Sequence, residues 1–592
     1  MADTNGGSRL FRFFNVLFFV ASLILDALLL LYGVELISRR NGDGILIWSM
    51  NQPLQFFANI VILFFLLLGM AFLLQPRRGI RIVHWFLLLV STVSYYKSDY
   101  RGEPLLLTDF MQAKEGLAIA GKLHFDFSWF LIFTLIVLGL IVPLLFPKKT
   151  FIFQIKLRLL LSAVAFLCFA VCLKQALGIP LTPTYQYKYL FEENGFFLGL
   201  AETRPRQELE RPEDYSRNRV IDILGVYAGQ NSVEPKIKPD IFFIMSESLF
   251  DLASETDLVL TSDPLEKLRV LMEEGIGART ITPGYGGGTF YAEYEVLTGY
   301  RAKDTPTRIY YDSQVIQPGM KSVVSVFSEQ GYRTTAVHPN TGTFYNRERS
   351  YTAMGFDRMY FKKELGEFKT YIGSFPSDRE LFEKVLAIYD DDTKEDTPCF
   401  YHIVTYQNHG SYNYRYDRRD IRIEGLSDEE TRNQAENYAN AVLTHVEAVC
   451  EFVEILRERE RPALIVLWGD HAPAVRFMGV SLPEAPSAQA EFYTTPLLIW
   501  NNYEEKYEWP DTYMSTYRLG ASVLNLLDMD SDNYFQWLAK AEKPDMVTAL
   551  GLLEEKESFF RDEERYQRID ADMKALHYDR LIGEHYGEEA AP

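Results

Sequence analysis

The sequence predicts a multi-domain chain: an N-terminal bundle of five transmembrane helices over residues 1–175, a connector over 176–235, and an extracellular α/β domain over 236–592. Three observations carry this. Apolar segments crowd into the first third, charge divides unevenly along the chain, and from Asp240 short apolar runs alternate with longer amphipathic ones. Residues 1–175 hold 16 Lys/Arg and 9 Asp/Glu, a net of +7. The whole-chain totals of 60 and 80 then leave 44 and 71, a net of −27, for the remainder. So acidic a remainder does not suit nucleic acid, whose phosphate backbone needs a basic face.

Five apolar segments are marked at Phe13–Leu36, Leu54–Leu74, Ile80–Tyr96, Phe127–Phe146 and Leu157–Leu173. They lie near the roughly 20 residues that a spanning helix requires. Arg9 and Arg12, then Arg77, Arg78 and Arg81, then Lys148, Lys149, Lys156 and Arg158 fall on one side if the segments alternate. That side is the cytoplasm, which places everything after Leu173 outside the cell membrane. Arg39 and Arg40 run against this pattern. Asp26 is costly in lipid and should turn towards the bundle or water. Cys168 and Cys172 lie in an apolar segment and Cys399 and Cys450 are far apart in the polar part, so no dense disulfide framework or CxxC metal site is written here.

In the α/β part, strands are expected at Ile241–Met245, Thr334–Val337, Phe400–Val404 and Leu464–Trp468. Helices are expected at Pro264–Glu274, Ser322–Gln330, Asp378–Ile388 and Glu429–Arg459. The alternation implies a largely parallel sheet. Each strand runs into polar residues: Ser246-Glu247-Ser248, His338-Pro339-Asn340, Thr405 to His409, and Gly469-Asp470-His471. In open α/β sheets ligands bind beyond the carboxyl ends of strands, so four such endings point to one cleft. A single strand-end carboxylate is more often a helix cap; four endings together are harder to assign to capping.

The stretch ITPGYGGGTFYAEYEVLTG, Ile281–Gly299, delivers Thr289 from three glycines into a helix-compatible run. A helix N-terminus suits a phosphate, and a divalent cation would make the threonine hydroxyl a competent nucleophile. A glycine-rich turn before a helix is common in itself, and no Gly-Lys-Ser/Thr follows to make a P-loop. Glu247, Thr289, Asp470 and His471 form a candidate ligand set of three oxygens and one nitrogen for Mn²⁺, Mg²⁺ or Zn²⁺. His338, Asn346, Arg347 and His409 suit an anionic substrate, with Arg347 able to fork onto phosphate oxygens. The alternative for Arg347 is a solvated salt bridge among Glu348, Arg349 and their neighbours.

Five motifs in order, KPDIFFIMSESLFDL, GGGTFYAEYEVLTG, HPNTGTFYNRERSYTAMGFDRMY, VTYQNHGSY and LWGDHAPAV, resemble those of lipoteichoic acid synthase-like membrane phosphoglycerol transferases. These belong to the alkaline phosphatase and sulfatase superfamily, so the resemblance implies a sulfatase-like (alkaline phosphatase-like) fold. It further implies a metal-dependent transferase that takes glycerol phosphate from phosphatidylglycerol, or a related anionic lipid, through a phosphothreonine. The acceptor would be polyglycerolphosphate or another cell-envelope polymer or glycan. By matching positions, Thr289 is the implied nucleophile, Glu247, Asp470 and His471 the implied Mn²⁺ ligands, and Arg347 and His409 the implied phosphoglycerol contacts. The sequence departs from the family pattern at Tyr345, where polymerising synthases often carry Trp. It departs again at Phe290-Tyr291, where small polar residues are usual.

Three other readings are weighed. A sulfatase-like hydrolase would need a Cys or Ser in a C/S-x-P-x-R context, which Thr289 lacks. A phosphoethanolamine transferase shares the threonine and metal, but such enzymes tend to carry several disulfides, and this soluble part has only Cys399 and Cys450. A non-catalytic membrane scaffold that retains the fold would not need Thr289, Glu247, Asp470 and His471 together.

Overall fold

The protein is described by a computed structural model covering residues 5–39, 42–101, 104–112, 129–147, 155–177, 187–203, 211–225, 237–305, 315–410, 412–414, 416–480, 491–509, 512–540 and 563–589. It divides into two compact units, Met1–Met111 with His124–Arg204, and Gln112–Leu123 with Pro205–Pro592.

Among the described residues of the first unit, four helices are long and apolar enough to cross a membrane: Phe14–Arg39, Pro53–Leu74, Pro76–Ser98 and Ile155–Ala176. The expected span at 127–146 is instead a shorter apolar helix, Leu131–Leu145, and residues 121–128 before it lie outside the described residues. A π-helical turn, Val137–Ile141, interrupts it just before Pro143. Proline lacks an N–H and its ring crowds the preceding turn, so regular helix yields there. Among the described residues, the five expected spans thus correspond to four such helices and this shorter one. Asp26 does avoid the outside: it is buried, with Oδ1 3.1 Å from His84 Nε2, while His84 Nδ1 lies 2.6 Å from the carbonyl of Leu138. Part of the expected connector also belongs to this unit. Glu35 Oε1 accepts from the Phe196 N–H at 2.5 Å, and Asn59 Nδ2 donates to the Asn194 carbonyl at 2.8 Å.

The second unit is built on a sheet of eight strands among the described residues. Its strands in chain order are β1 Asp240–Ser246, β2 Ile276–Ile281, β3 Arg333–Val337, β4 Arg358–Tyr360, β5 Cys399–Val404, β6 Ala463–Gly469, β7 Thr494–Asn501 and β8 Tyr513–Ser515. Across the sheet they are ordered β8-β2-β7-β6-β1-β5-β3-β4. The five strands from β6 to β4 are parallel, and β7 runs antiparallel between β6 and β2. Every residue of β1 is buried, because helices cover both faces. Ile241, Phe243 and Met245 join one core with Trp468, Phe400 and Leu519; Phe242 and Ile244 join the other with Tyr401, Val442 and Phe452. Helices Thr289–Thr298 and Thr516–Leu526 supply the first face, and Asp378–Asp392 and Glu429–Arg457 the second.

Candidate active site

Strand register brings the site together. Ser246 of β1 pairs with Gly469 of β6, so the next residues, Glu247 and Asp470, emerge side by side from adjacent parallel strands. On the other side of β1, Met245 pairs with Val404 of β5, which places Thr405 beside Ser246. Val337 of β3 pairs with Ile403, and His338 follows it. The order β6-β1-β5-β3 thus sets His471, Asp470, Glu247, the Thr405–His409 segment and His338 along one edge of the sheet.

Glu247, Asp470 and His471 are all buried, and one ligand atom from each lies within 4.8 Å of the others. His471 Nε2 is 3.8 Å from Glu247 Oε1 and 3.3 Å from Asp470 Oδ2. Asp470 Oδ1 accepts from the backbone N–H groups of Ser248, at 2.7 Å, and His471, at 2.8 Å. Asp470 Oδ2 is buried and receives no hydrogen bond. A buried carboxylate oxygen without a donor is costly unless a cation meets it, so the donor set fits a divalent ion. The last residue of β6 must be glycine, since a Cβ on Gly469 would lie 2.3 Å from the Leu249 carbonyl oxygen.

Two residues that the sequence reading did not single out hold this cluster. Ser248 donates from Oγ to Glu247 Oε1 at 2.9 Å and sits at φ 49°, a left-handed conformation rare outside glycine. Thr405 Oγ1 accepts from the Glu247 N–H at 2.9 Å. Such strain collects at functional sites, where surrounding contacts enforce it.

The glycine-rich loop joins the same place. Gly286 donates its N–H to the carbonyl of Ala472, the residue after His471, at 2.9 Å, and Tyr285 forms an isolated bridge with Ala472. Gly286, Gly287 and Gly288 take φ of 66°, 153° and 93°, which a Cβ would resist. Helix Thr289–Thr298 starts directly afterwards, with Thr289 buried as its first residue.

Arg347 is not the solvated surface pair considered above. It is 1% exposed, and its Nη2 lies 2.9 Å from Oε2 of Glu293, one helical turn beyond Thr289. Residues four apart share a helix face, so Arg347 is paired on the face of the helix that Thr289 also occupies. Tyr345 and Asn346, at φ 54° and 55°, turn the chain into the Arg347–Met354 helix, and Arg347 lies over the Tyr345 ring. His338 is buried and donates from Nδ1 to the Val404 carbonyl at 3.0 Å. Burial, and then the nearby positive charge of Arg347, hold its pKa well below the ordinary histidine value, so it is neutral. His409 is half-buried, its ring 4.9 Å from that of Phe375 and 5.3 Å from that of Tyr406. The four described cysteines are all free thiols.

Comparison with known proteins agrees with this architecture. Residues 239–529 match the sulfatase family. A Rhizobium meliloti (strain 1021) protein named for cyclic beta-1,2-glucan modification is 26% identical over 521 residues, covering 81% of this chain and 78% of its own. The fold is shared with the Streptococcus pyogenes phosphoglycerol transferase GacH, solved with sn-glycerol-1-phosphate. That likeness has a TM-score of 0.52 at 21% identity over 64% of this chain and 97% of the other. It is shared also with the integral membrane phosphoethanolamine transferase EptA from Neisseria meningitidis, at TM-score 0.51 and 14% identity over 88% of this chain and 99% of the other. Residues 239–529 of this chain are a sulfatase-family domain.

Proposed function

We propose that the chain is a membrane-anchored phosphotransferase that moves glycerol phosphate from phosphatidylglycerol to a cell-envelope acceptor, with its sulfatase-family domain on the extracytoplasmic side. The observation that carries this reading is the buried Glu247–Asp470–His471 cluster, tied through Ala472 and Gly286 to the loop that presents Thr289. Glu247, Asp470 and His471, with Thr289 as a fourth ligand, would hold a Mn²⁺, Mg²⁺ or Zn²⁺ ion, whose positive charge would favour a deprotonated threonine hydroxyl and balance charge on the phosphoryl group.

The chain's own residues do the remainder. Thr289 Oγ attacks phosphorus, forming the Oγ–P bond as the bond to the diacylglycerol oxygen breaks; diacylglycerol leaves and takes up a proton. The N-terminal turn of the Thr289–Thr298 helix and Arg347 favour the phosphoryl oxygens, with Arg347 kept in place by Glu293. His338, neutral and anchored through Nδ1, keeps its other ring nitrogen as an acceptor for a glycerol hydroxyl, and Asn346 and His409 complete the head-group contacts. An acceptor hydroxyl, of a polyglycerolphosphate or a glycan, then attacks the same phosphorus, releases Thr289 and gives up its proton. Anchoring by apolar helices suits a donor that stays in the bilayer.

A second reading, transfer of phosphoethanolamine, keeps the same site and differs in the head group. Incubating the full-length protein in micelles with Mn²⁺ and either phosphatidylglycerol or phosphatidylethanolamine separates the two. Diacylglycerol released from phosphatidylglycerol is the expected result. Release only from phosphatidylethanolamine would replace this reading with the second, and release from neither would leave the scaffold.

A further inference from the structure

Directly after Thr289 the chain gathers a row of aromatic rings. The centroid of Phe290 lies 3.9 Å from that of Tyr291 and 4.8 Å from that of Tyr345, at interplanar angles of 37° and 43°. Phe344 extends the row, 4.2 Å from Tyr345. Tyr345 and Phe344 are buried, whereas Phe290 and Tyr291, which begin the helix behind the candidate nucleophile, remain half-buried. Tyr345 reaches its place only through a left-handed backbone, φ 54°, which a bulky side chain resists. Its ring lies against that of Phe290, the residue that follows Thr289.

The geometry points to a saccharide shelf: Phe290 and Tyr291, backed by Tyr345, receive the C–H face of a pyranose ring in a neutral glycan acceptor and bring one of its hydroxyls towards Thr289. This rests on the phosphothreonine reading above and selects between the two acceptor classes left open there. Aromatic faces carry negative electrostatic potential; they attract polarised C–H groups and give nothing to an anion. A growing polyglycerolphosphate chain would instead need a cationic track. Arg347, which lies over the Tyr345 ring, is paired with Glu293 and is assigned above to the transferred phosphoryl group, so it forms no track for a chain of further phosphates. Beyond residue 175 the chain carries 44 basic against 71 acidic residues, so a polyanion approaching the domain meets a repulsive field. A neutral glycan meets no such penalty.

The test uses the full-length protein in micelles, titrated calorimetrically without lipid donor. The probes are a neutral cyclic beta-1,2-glucan and a polyglycerolphosphate. The unaltered protein is expected to bind the glucan in preference to the polyanion. Phe290→Ser and Tyr291→Ser should each weaken glucan binding about ten-fold, and Phe290→Trp, which restores an aromatic face, should keep it within about three-fold. A thermal melt of each variant confirms folding, and either serine variant suffices if the other does not fold. Tighter binding of the polyglycerolphosphate, binding of neither probe, or glucan binding by a folded serine variant within two-fold of the unaltered protein overturns the proposal. Because no donor is present, failure to release diacylglycerol would refute the function proposed above without touching this result.

Discussion

Arg347 and Glu293 form an ion pair wholly removed from solvent: Nη2 and Nε of the arginine lie 2.9 and 3.0 Å from Oε2 of the glutamate. The pair links the Arg347–Met354 helix to the helix that begins with Thr289. Separating such a pair leaves an uncompensated buried charge. Glu293→Ala should therefore destabilise the domain by about 3–5 kcal/mol, far more than loss of a surface bridge. Chemical denaturation of the full-length protein followed by intrinsic fluorescence reads this, and a change under about 1 kcal/mol would contradict it.

Asp470 divides its two oxygens between two tasks, and Asp470→Asn should separate them. Its Oδ1 accepts from the Ser248 and His471 backbone N–H groups, which an asparagine carbonyl can still serve, while the donorless Oδ2 becomes an amide. The variant should melt near the unaltered protein without metal. On adding Mn²⁺ to a hundred times the dissociation constant, the unaltered protein should gain about 2.7 kcal/mol and the variant close to nothing. Equal gains would remove Asp470 from the ligand set.

Glu295 gives a pH dependence with a definite sign. It is buried, it accepts from the Ala302 N–H at 2.8 Å and the Thr516 hydroxyl at 2.5 Å, and burial pushes its pKa up to about 7 from 4.5. Between these values the folded state holds a proton that the unfolded state has lost. Its contribution is therefore fully present below pH 4.5 and is lost as pH rises through about 7, on the order of 3 kcal/mol in all. Glu295→Gln, which cannot ionise, should flatten this fall in melting temperature between pH 5 and 8. An unchanged slope would assign the dependence to other groups.

Much of this architecture could be read from the residues. The four parallel strands β1, β3, β5 and β6 were legible because strands buried on both faces are near-continuous apolar runs, and their polar endings marked the cleft. β2, Ile276–Ile281, was not, since Gly277, Arg279 and Thr280 interrupt any apolar pattern and its pairing with β7 is long-range. The broken helix before Pro143 hid behind uniform apolarity. At the site, carboxylate and imidazole at strand ends could be proposed as neighbours. That Glu293 would neutralise Arg347, or that Ser248, Tyr345 and Asn346 would adopt left-handed backbone, depends on contacts between distant segments that no local spacing encodes.

The central claim is that Thr289 becomes covalently phosphorylated. Incubating the full-length protein with phosphatidylglycerol and Mn²⁺, quenching it with acid and mapping its peptides by mass spectrometry tests this most directly. A glycerol phosphate adduct on Thr289, absent from Thr289→Ala and from Asp470→Asn, is the predicted result. Release of diacylglycerol with the adduct on another residue, or undiminished release by Thr289→Ala, would contradict it.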